Sequence, residues 1–224
     1  MTHNFNPLAS KFLNGNYIRS VNYHNTPVAK ADWYERQLEF YAQHFSSVTE
    51  AELAHFLTTG QWCKDKPGLI HAFYNGYRNN YDVLKPLLEH YGFVGWFFIP
   101  SDFVSTHPFQ QVDFAEAHRL RLVPDEYPDG RYALSWSEVR ELSEDHVIAS
   151  HTKTHSLISP DSPADMQREI VMSQQDFENE LGRKVDAFAW LSGSDYGQHP
   201  EADAYLLEAG YKYLFSNFKI QKVQ

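Results

Sequence analysis

Short, densely apolar runs alternate along the chain with longer stretches in which apolar residues return every three or four positions, the pattern of strands feeding amphipathic helices. Tyr17 to Tyr23 (YIRSVNY) reads as a first strand that ends at His24, Asn25 and Thr26 before Pro27. From Asp32 to Phe45, residues Tyr34, Leu38, Tyr41 and Phe45 share one helical face, and Thr49 is placed to cap a second short helix through Phe56. Leu69 to Phe73 form an apolar strand that breaks into a polar tip, Tyr74, Asn75, Gly76, Tyr77 and Arg78. The spacing then predicts a helix from Asn80 to Tyr91, stopped by Gly92, and a buried strand from Val94 to Ile99 bounded by Pro100.

Residues 101–133 lack a clean period and hold Pro108, Pro124, Pro128 and Gly130, so they read as a long excursion over the strand ends, with a short helix near Phe114 to Leu122. Ser135 and Glu138 make a capping box for a helix with Val139 and Leu142 inward, which delivers the chain to a strand from His146 to Ala149. Pro160, Asp161, Ser162 and Pro163 announce a long helix to Leu181, with Met166, Ile170, Phe177 and Leu181 on its buried side. A strand over Ala187 to Leu191, a helix over Glu201 to Ala209 and a strand over Tyr213 to Ser216 complete the pattern. This rhythm predicts parallel βαβ units and an α/β fold, as one domain over residues 17–224 behind a polar lead-in segment, residues 1–16.

Composition narrows the function classes. The net charge is −10, and the basic residues are scattered without a stripe that could follow a phosphate backbone, which argues against nucleic acid as a partner. A single cysteine, Cys63, excludes an intrachain disulfide framework and suits a reducing compartment. With neither a leader-like N-terminus nor an apolar run long enough for a bilayer, the expectation is a soluble, cytoplasmic protein with no membrane partner. Aromatic residues make up 16% of the chain, enough to fill a core and line a sugar-binding groove.

Candidate chemistry concentrates in Ile148 to Leu157 (IASHTKTHSL), where His151 and His155 stand four residues apart just after an apolar strand. One helical turn would bring both imidazoles to the same side, and imidazole nitrogen is the commonest protein ligand for zinc. Twelve histidines in 224 residues give roughly 0.6 such pairs by chance, so the pair alone is weak evidence. Its setting is more specific: ligands at a strand end are where barrel enzymes keep their chemistry, and Thr152, Thr154 and Ser156 are hydroxyls that can orient the rings. His24, also at a strand end, is a candidate for the same pocket.

The order of these segments resembles the polysaccharide deacetylase family, the carbohydrate esterases of family four with the NodB homology domain. The similarity runs from about Tyr17 to Asn217. It rests on VNYHN, on AFYNGYRNNYDVLKPLLEHYGFVGWFFIP, on LSWSEVRELSEDHVIASHTKTH, and on FAWLSG followed by LLEAGYKYLFS. The resemblance implies an irregular (β/α) barrel, hydrolysis of N-acetyl groups on glycans, and a divalent metal, zinc first among them.

It also implies roles at single positions. The family's first motif, usually TFDDG, falls on Ala72, Phe73, Tyr74, Asn75 and Gly76, so both aspartates are replaced. Tyr74 stands at the base position, where a phenol with an ordinary pKa near 10 is a donor rather than an acceptor. Asn75 stands at the third metal-ligand position beside His151 and His155, offering an oxygen without charge, so the ion should be held weakly or not at all. The proline and aromatic of a later motif are missing at Trp190, Leu191, Ser192 and Gly193, leaving the Ser192 backbone amide as an oxyanion donor.

The family's last strand carries a Leu-His acid that the chain does not reach before Gln224, so the barrel is expected to be incomplete at that end, with an open seam that a second subunit of a homo-oligomer can cover. Asp195, Asp102 and His24 are the candidates for a substitute acid or base. His24, Tyr77, Trp136, Trp190 and Asp195 are the expected substrate groove. Two readings follow: a metal-dependent deacetylase with standard activity weak or lost, or an inactive glycan- or protein-binding module on the same barrel.

Overall fold

The computed structural model describes Leu13, residues 15–157 and residues 162–224. Most of the lead-in segment, and Pro160 and Asp161 of the expected helix start, lie outside the described residues.

Among the described residues eight strands make one curled sheet: β1 (Ile18–Tyr23), β2 (Ser46–Ser47), β3 (Gly68–Tyr74), β4 (Gly95–Ile99), β5 (Val147–Ser150), β6 (Ala187–Ala189), β7 (Tyr213–Phe215) and β8 (Ile220–Lys222). Their order is β1-β3-β4-β5-β6-β7-β8, with β2 pairing the start of β3. All pairings are parallel except β7 with β8, which is antiparallel. Among the described residues the result is an irregular (β/α) half-barrel open between β1 and β8, as the seam was expected.

β3 and β4 are buried at every residue because both faces of the sheet are covered. Ile70, Ala72, Tyr74, Trp96, Phe98, Ala149, Ala187, Ala189 and Phe215 fill the concave side. Four alanines among four large aromatics let the strands curl around a narrow interior without voids. The alternate residues Phe73, Phe97, Ile148, Phe188 and Leu214 face outward onto helices that supply Leu38, Leu88, Leu142, Ile170, Phe177 and Leu206. Most of the aromatic excess is therefore core; Trp96 is fully buried, its indole N–H on the Val48 carbonyl at 3.0 Å.

The helices begin and end where the residues direct. Thr49 with Glu52 and Ser135 with Glu138 form complete capping boxes for α2 (Glu50–Thr59) and α6 (Trp136–Asp145). α1 is Ala31–His44, and α3 (Lys85–Tyr91) ends at left-handed Gly92. A π-helical turn, Asn80–Leu84, precedes α3, and another, Gln167–Met172, joins α7 (Pro163–Met166) to α8 (Ser173–Leu181). α9 spans Pro200–Ala209.

Two expectations need correction. The excursion over 101–133 holds α4 (Ser101–Ser105) and α5 (Gln111–Ala117), upstream of the helix expected at Phe114 to Leu122. No single helical period marks this region, because its core of Phe103, Ala115, Leu120, Ala133 and Tyr77 is gathered from several turns around one buried side chain. That side chain is Gln111, whose Oε1 accepts from the Tyr132 and Ala133 N–H groups and whose Nε2 donates to the Thr106 carbonyl. His146 is the C-cap of α6 rather than a strand residue, and its Nδ1 accepts from the Gly95 N–H.

Candidate functional site

The parallel strands end on one side of the half-barrel, and the residues after four of them line a common cavity: His24 after β1, His151 after β5, Trp190 after β6 and Ser216 after β7, with Asn75 following β3. The cavity is about 100 Å³ and is lined by Asn22, His24, Tyr74, His151, Trp190, Ser192 and Asn217 among others.

The turn from His151 to His155 is not helical. Thr152 and His155 take left-handed backbone angles (φ 65° and 60°), and the His155 N–H closes the turn on the Thr152 hydroxyl at 3.0 Å. The two rings still meet, 5.1 Å apart between centroids and inclined at 65°. Backbone carbonyls, not the flanking hydroxyls, orient them. His151 Nδ1 lies 2.8 Å from the Ala189 carbonyl, and His155 Nδ1 lies 2.7 Å from the His118 carbonyl. Each Nδ1 therefore carries the proton and donates it, which leaves each Nε2 lone pair for a ligand.

Both rings are held neutral. Burial pushes the His151 imidazole down to about 3, with adjacent His155 and then His24 adding to the shift, while burial also lowers His155 and His24. His24 stacks on Tyr74 at 5.6 Å, and Tyr74 meets His151 edge-on at 5.2 Å, so the four rings form one continuous wall. Burial raises the Tyr74 phenol above its ordinary value, making it a still poorer base.

Asn75 follows β3 in a left-handed conformation (φ 79°), which asparagine tolerates better than most residues. Its N–H continues the sheet by donating to the Phe98 carbonyl at 2.9 Å. Its Nδ2 donates to the Tyr77 hydroxyl at 3.2 Å, and its buried Oδ1 has no partner among the described residues. A buried acceptor left without a donor costs stability unless something else engages it. This orphaned oxygen and the two Nε2 lone pairs are donors of the types that a borderline divalent ion takes, all three uncharged. No group of three His, Cys, Asp or Glu side chains suited to a metal occurs among the described residues.

The expected groove residues divide. His24 and Trp190 reach the cavity, the Trp190 ring packing edge-on against Phe188. Tyr77 is buried beneath Asn75, its hydroxyl also accepting the Arg121 N–H. Trp136 belongs to α6, packed on Phe177 with its indole N–H on the Ser105 hydroxyl. Asp195 pairs with Lys219 at 3.1 Å, outside the cavity wall. Asp102 is likewise taken by Lys153, at 3.0 Å. Ser192 does line the cavity, in a left-handed turn (φ 74°) closed by the Gly193 N–H on the Trp190 carbonyl.

Two supports were not foreseen. Glu169, 1% exposed, accepts from the Lys153 N–H at 3.1 Å, the Thr154 N–H at 2.8 Å and the Thr154 hydroxyl at 2.8 Å, pinning the histidine turn. Asn80 does the same for the other loop, donating to the His24 carbonyl at 2.8 Å and the Thr26 hydroxyl at 2.9 Å. Both sit in the π-helical turns, where the extra residue per turn moves a polar side chain onto an otherwise apolar face. The sequence signal for Glu169 was an acid set on the stripe Met166, Ile170, Phe177.

With this geometry in view, comparisons place the chain among known folds. Residues 61–214 match the family model described as polysaccharide deacetylase. No curated protein matches the sequence. Among solved structures, the Streptococcus pyogenes deacetylase PplD in complex with acetate aligns at a TM-score of 0.68 and 14% identity, over 93% of this chain and 87% of that one. IcaB from Ammonifex degensii aligns at 0.68 and 19% identity, over 91% and 84%, and a de-N-acetylase from Aggregatibacter actinomycetemcomitans at 0.67 and 17%, over 92% and 90%. At such identities these likenesses establish the fold.

Proposed function

The chain belongs to the polysaccharide deacetylase family, and from that premise we propose that it takes the N-acetyl group of a glycan into the cavity at His151, with standard deacetylation weak or lost. The observation that carries this reading is that no carboxylate lines the cavity among the described residues. Amide hydrolysis at neutral pH needs a group to take a proton from water and another to give one to the departing amine.

A divalent ion held by His151 Nε2, His155 Nε2 and Asn75 Oδ1 would supply Lewis acidity toward the acetamide carbonyl. The remaining work falls to the chain itself. The Ser192 backbone N–H, free of a carbonyl partner among the described residues, suits the carbonyl oxygen as it gains charge. Tyr74 bounds the cavity as an uncharged donor and cannot take the proton. Among the described residues that line the cavity, His24 is exposed to solvent and is placed to exchange a proton there.

Loss of a positioned base or acid lowers rate by about 10² to 10⁴-fold each. The second reading, a glycan-binding module with no turnover, is the limit of the same argument when His24 does not substitute. Acetate release from N-acetylated chitooligosaccharides, measured beside calorimetric binding of the same sugars, tests both. Binding with little or no acetate release is expected; turnover at the ordinary enzymic rate of roughly 1 to 10³ s⁻¹ would overturn the proposal.

A further inference from the structure

We propose that the open seam between β1 and β8 is a second sugar subsite, taking a neutral hexosamine unit of the same glycan whose N-acetyl group enters the cavity at His151. This inference rests on the glycan reading above and adds where the rest of the chain lies.

Size makes the first argument. The cavity at His151, about 100 Å³, is too small for more than a small substituent. Beside it a cleft of about 390 Å³ runs down the seam, within the roughly 300 to 1,000 Å³ of small-molecule sites. The two share Asn22, Tyr74, Phe215, Ser216 and Asn217 as walls, so they form one groove with a waist.

The chemistry at the waist suits an uncharged, hydroxyl-rich ligand. Asn22 uses its Oδ1 to accept the Ser20 hydroxyl, and its Nδ2 has no partner among the described residues. Asn217 uses its Nδ2 to hold the Ser192 carbonyl at 3.0 Å, and its Oδ1 has none. One amide donor and one amide acceptor are thus left on the wall that the two spaces share, the complement of a sugar hydroxyl or acetamide. Of the two cations on the cleft lining, Lys219 is paired with Asp195 and Arg19 lies over the Tyr17 ring. Leu53, Phe56 and Leu57 give the cleft an apolar lining for the sugar's C–H groups, while Tyr74, stacked on Phe98 and His24, and Phe215 are buried in its wall.

Calorimetric titration of the full chain with β-1,4-linked N-acetylglucosamine of one, two and three units tests the subsite. The trisaccharide is expected to bind at least about tenfold more tightly than the monosaccharide. Ser20→Trp, which fills the cleft from an exposed position on β1 outside the His151 cavity, should bring that ratio close to one, and Asn22→Ala should lower it without adding bulk. Equal affinity for all three sugars in the wild type, or an unchanged ratio in Ser20→Trp, would overturn the subsite and leave the glycan reading standing. Absence of binding at every length would overturn both.

Discussion

The Nδ1 atom of His151 lies 2.8 Å from the carbonyl oxygen of Ala189, the last residue of the neighbouring strand. One backbone acceptor thus decides which nitrogen of a fully buried ring carries the proton, and leaves the other as a lone pair in the cavity. His155 is fixed in the same way by the His118 carbonyl, so two separate segments of chain prepare the same kind of donor. Both imidazoles are thereby left neutral, each with one lone pair that the fold does not use.

Glu169 should be required for that preparation. Glu169→Ala strands the Lys153 and Thr154 N–H groups and is expected to destabilise the fold by about 3 kcal/mol. Glu169→Gln keeps an acceptor and should fold. In it, zinc affinity measured by calorimetry should fall while binding of sugar in the seam persists. Unchanged zinc affinity in a folded Glu169→Gln would show that the carboxylate does not set the histidine turn.

Acid should destabilise the protein through its buried imidazoles. His71 is fully buried among Tyr23, Tyr41 and Phe93, neither ring nitrogen has a partner among the described residues, and burial pushes it down to about 3. The unfolded chain protonates such a ring near its ordinary value of about 6.5, so it binds more protons than the folded chain below that pH. Stability is therefore full above about 6.5 and declines as pH falls toward 3, with His151 acting in the same direction. His71→Phe should flatten this decline and raise stability at neutral pH by roughly 1 to 3 kcal/mol, because two orphaned polar atoms are removed. Denaturant titrations from pH 4 to 8 check it; an acid limb of unchanged slope in His71→Phe would contradict it.

Gly193→Ala should disturb the waist of the groove. A Cβ there would stand 2.5 Å from Asn217 Cγ, on a backbone with φ 73°. Asn217 must then leave the Ser192 carbonyl, at a cost of about 1 to 3 kcal/mol in strain and lost contact. Sugar binding should weaken more than zinc binding, since no zinc donor is touched. Equal loss of the two in a folded variant would argue that the waist and the histidine site are not separable.

Much of this architecture was legible in the residues. Apolar runs marked β3, β4 and β5, and Thr49, Ser135 and Gly92 bounded helices where capping chemistry directs. The place of His151 and His155 just after a strand end was legible in the same way. What was not legible came from contacts remote in sequence. The His118 carbonyl belongs to an excursion whose core has no period, and Tyr77 and Trp136 look like groove aromatics until the burial of one and the Ser105 and Phe177 contacts of the other are seen. The histidine turn could not be read from four-residue spacing either, because a left-handed turn closed by Thr152 brings the rings together as well as a helix would.

Replacing Tyr74 and Asn75 together by aspartate should restore what the cavity lacks. The Tyr74→Asp, Asn75→Asp protein is expected to gain zinc affinity by about 10 to 100-fold, the scale seen for changes around a metal site. Calorimetry with zinc at neutral pH measures it, and no gain would count against Asn75 as the third donor.

The central claim is that Asn75 Oδ1 and the Nε2 atoms of His151 and His155 converge on one point. Crystals of the protein soaked in zinc, with data collected at the zinc absorption edge, test it directly. The account predicts one anomalous peak in contact with all three atoms; a peak bound elsewhere, or histidine rings whose Nε2 atoms face separate surfaces, would contradict it.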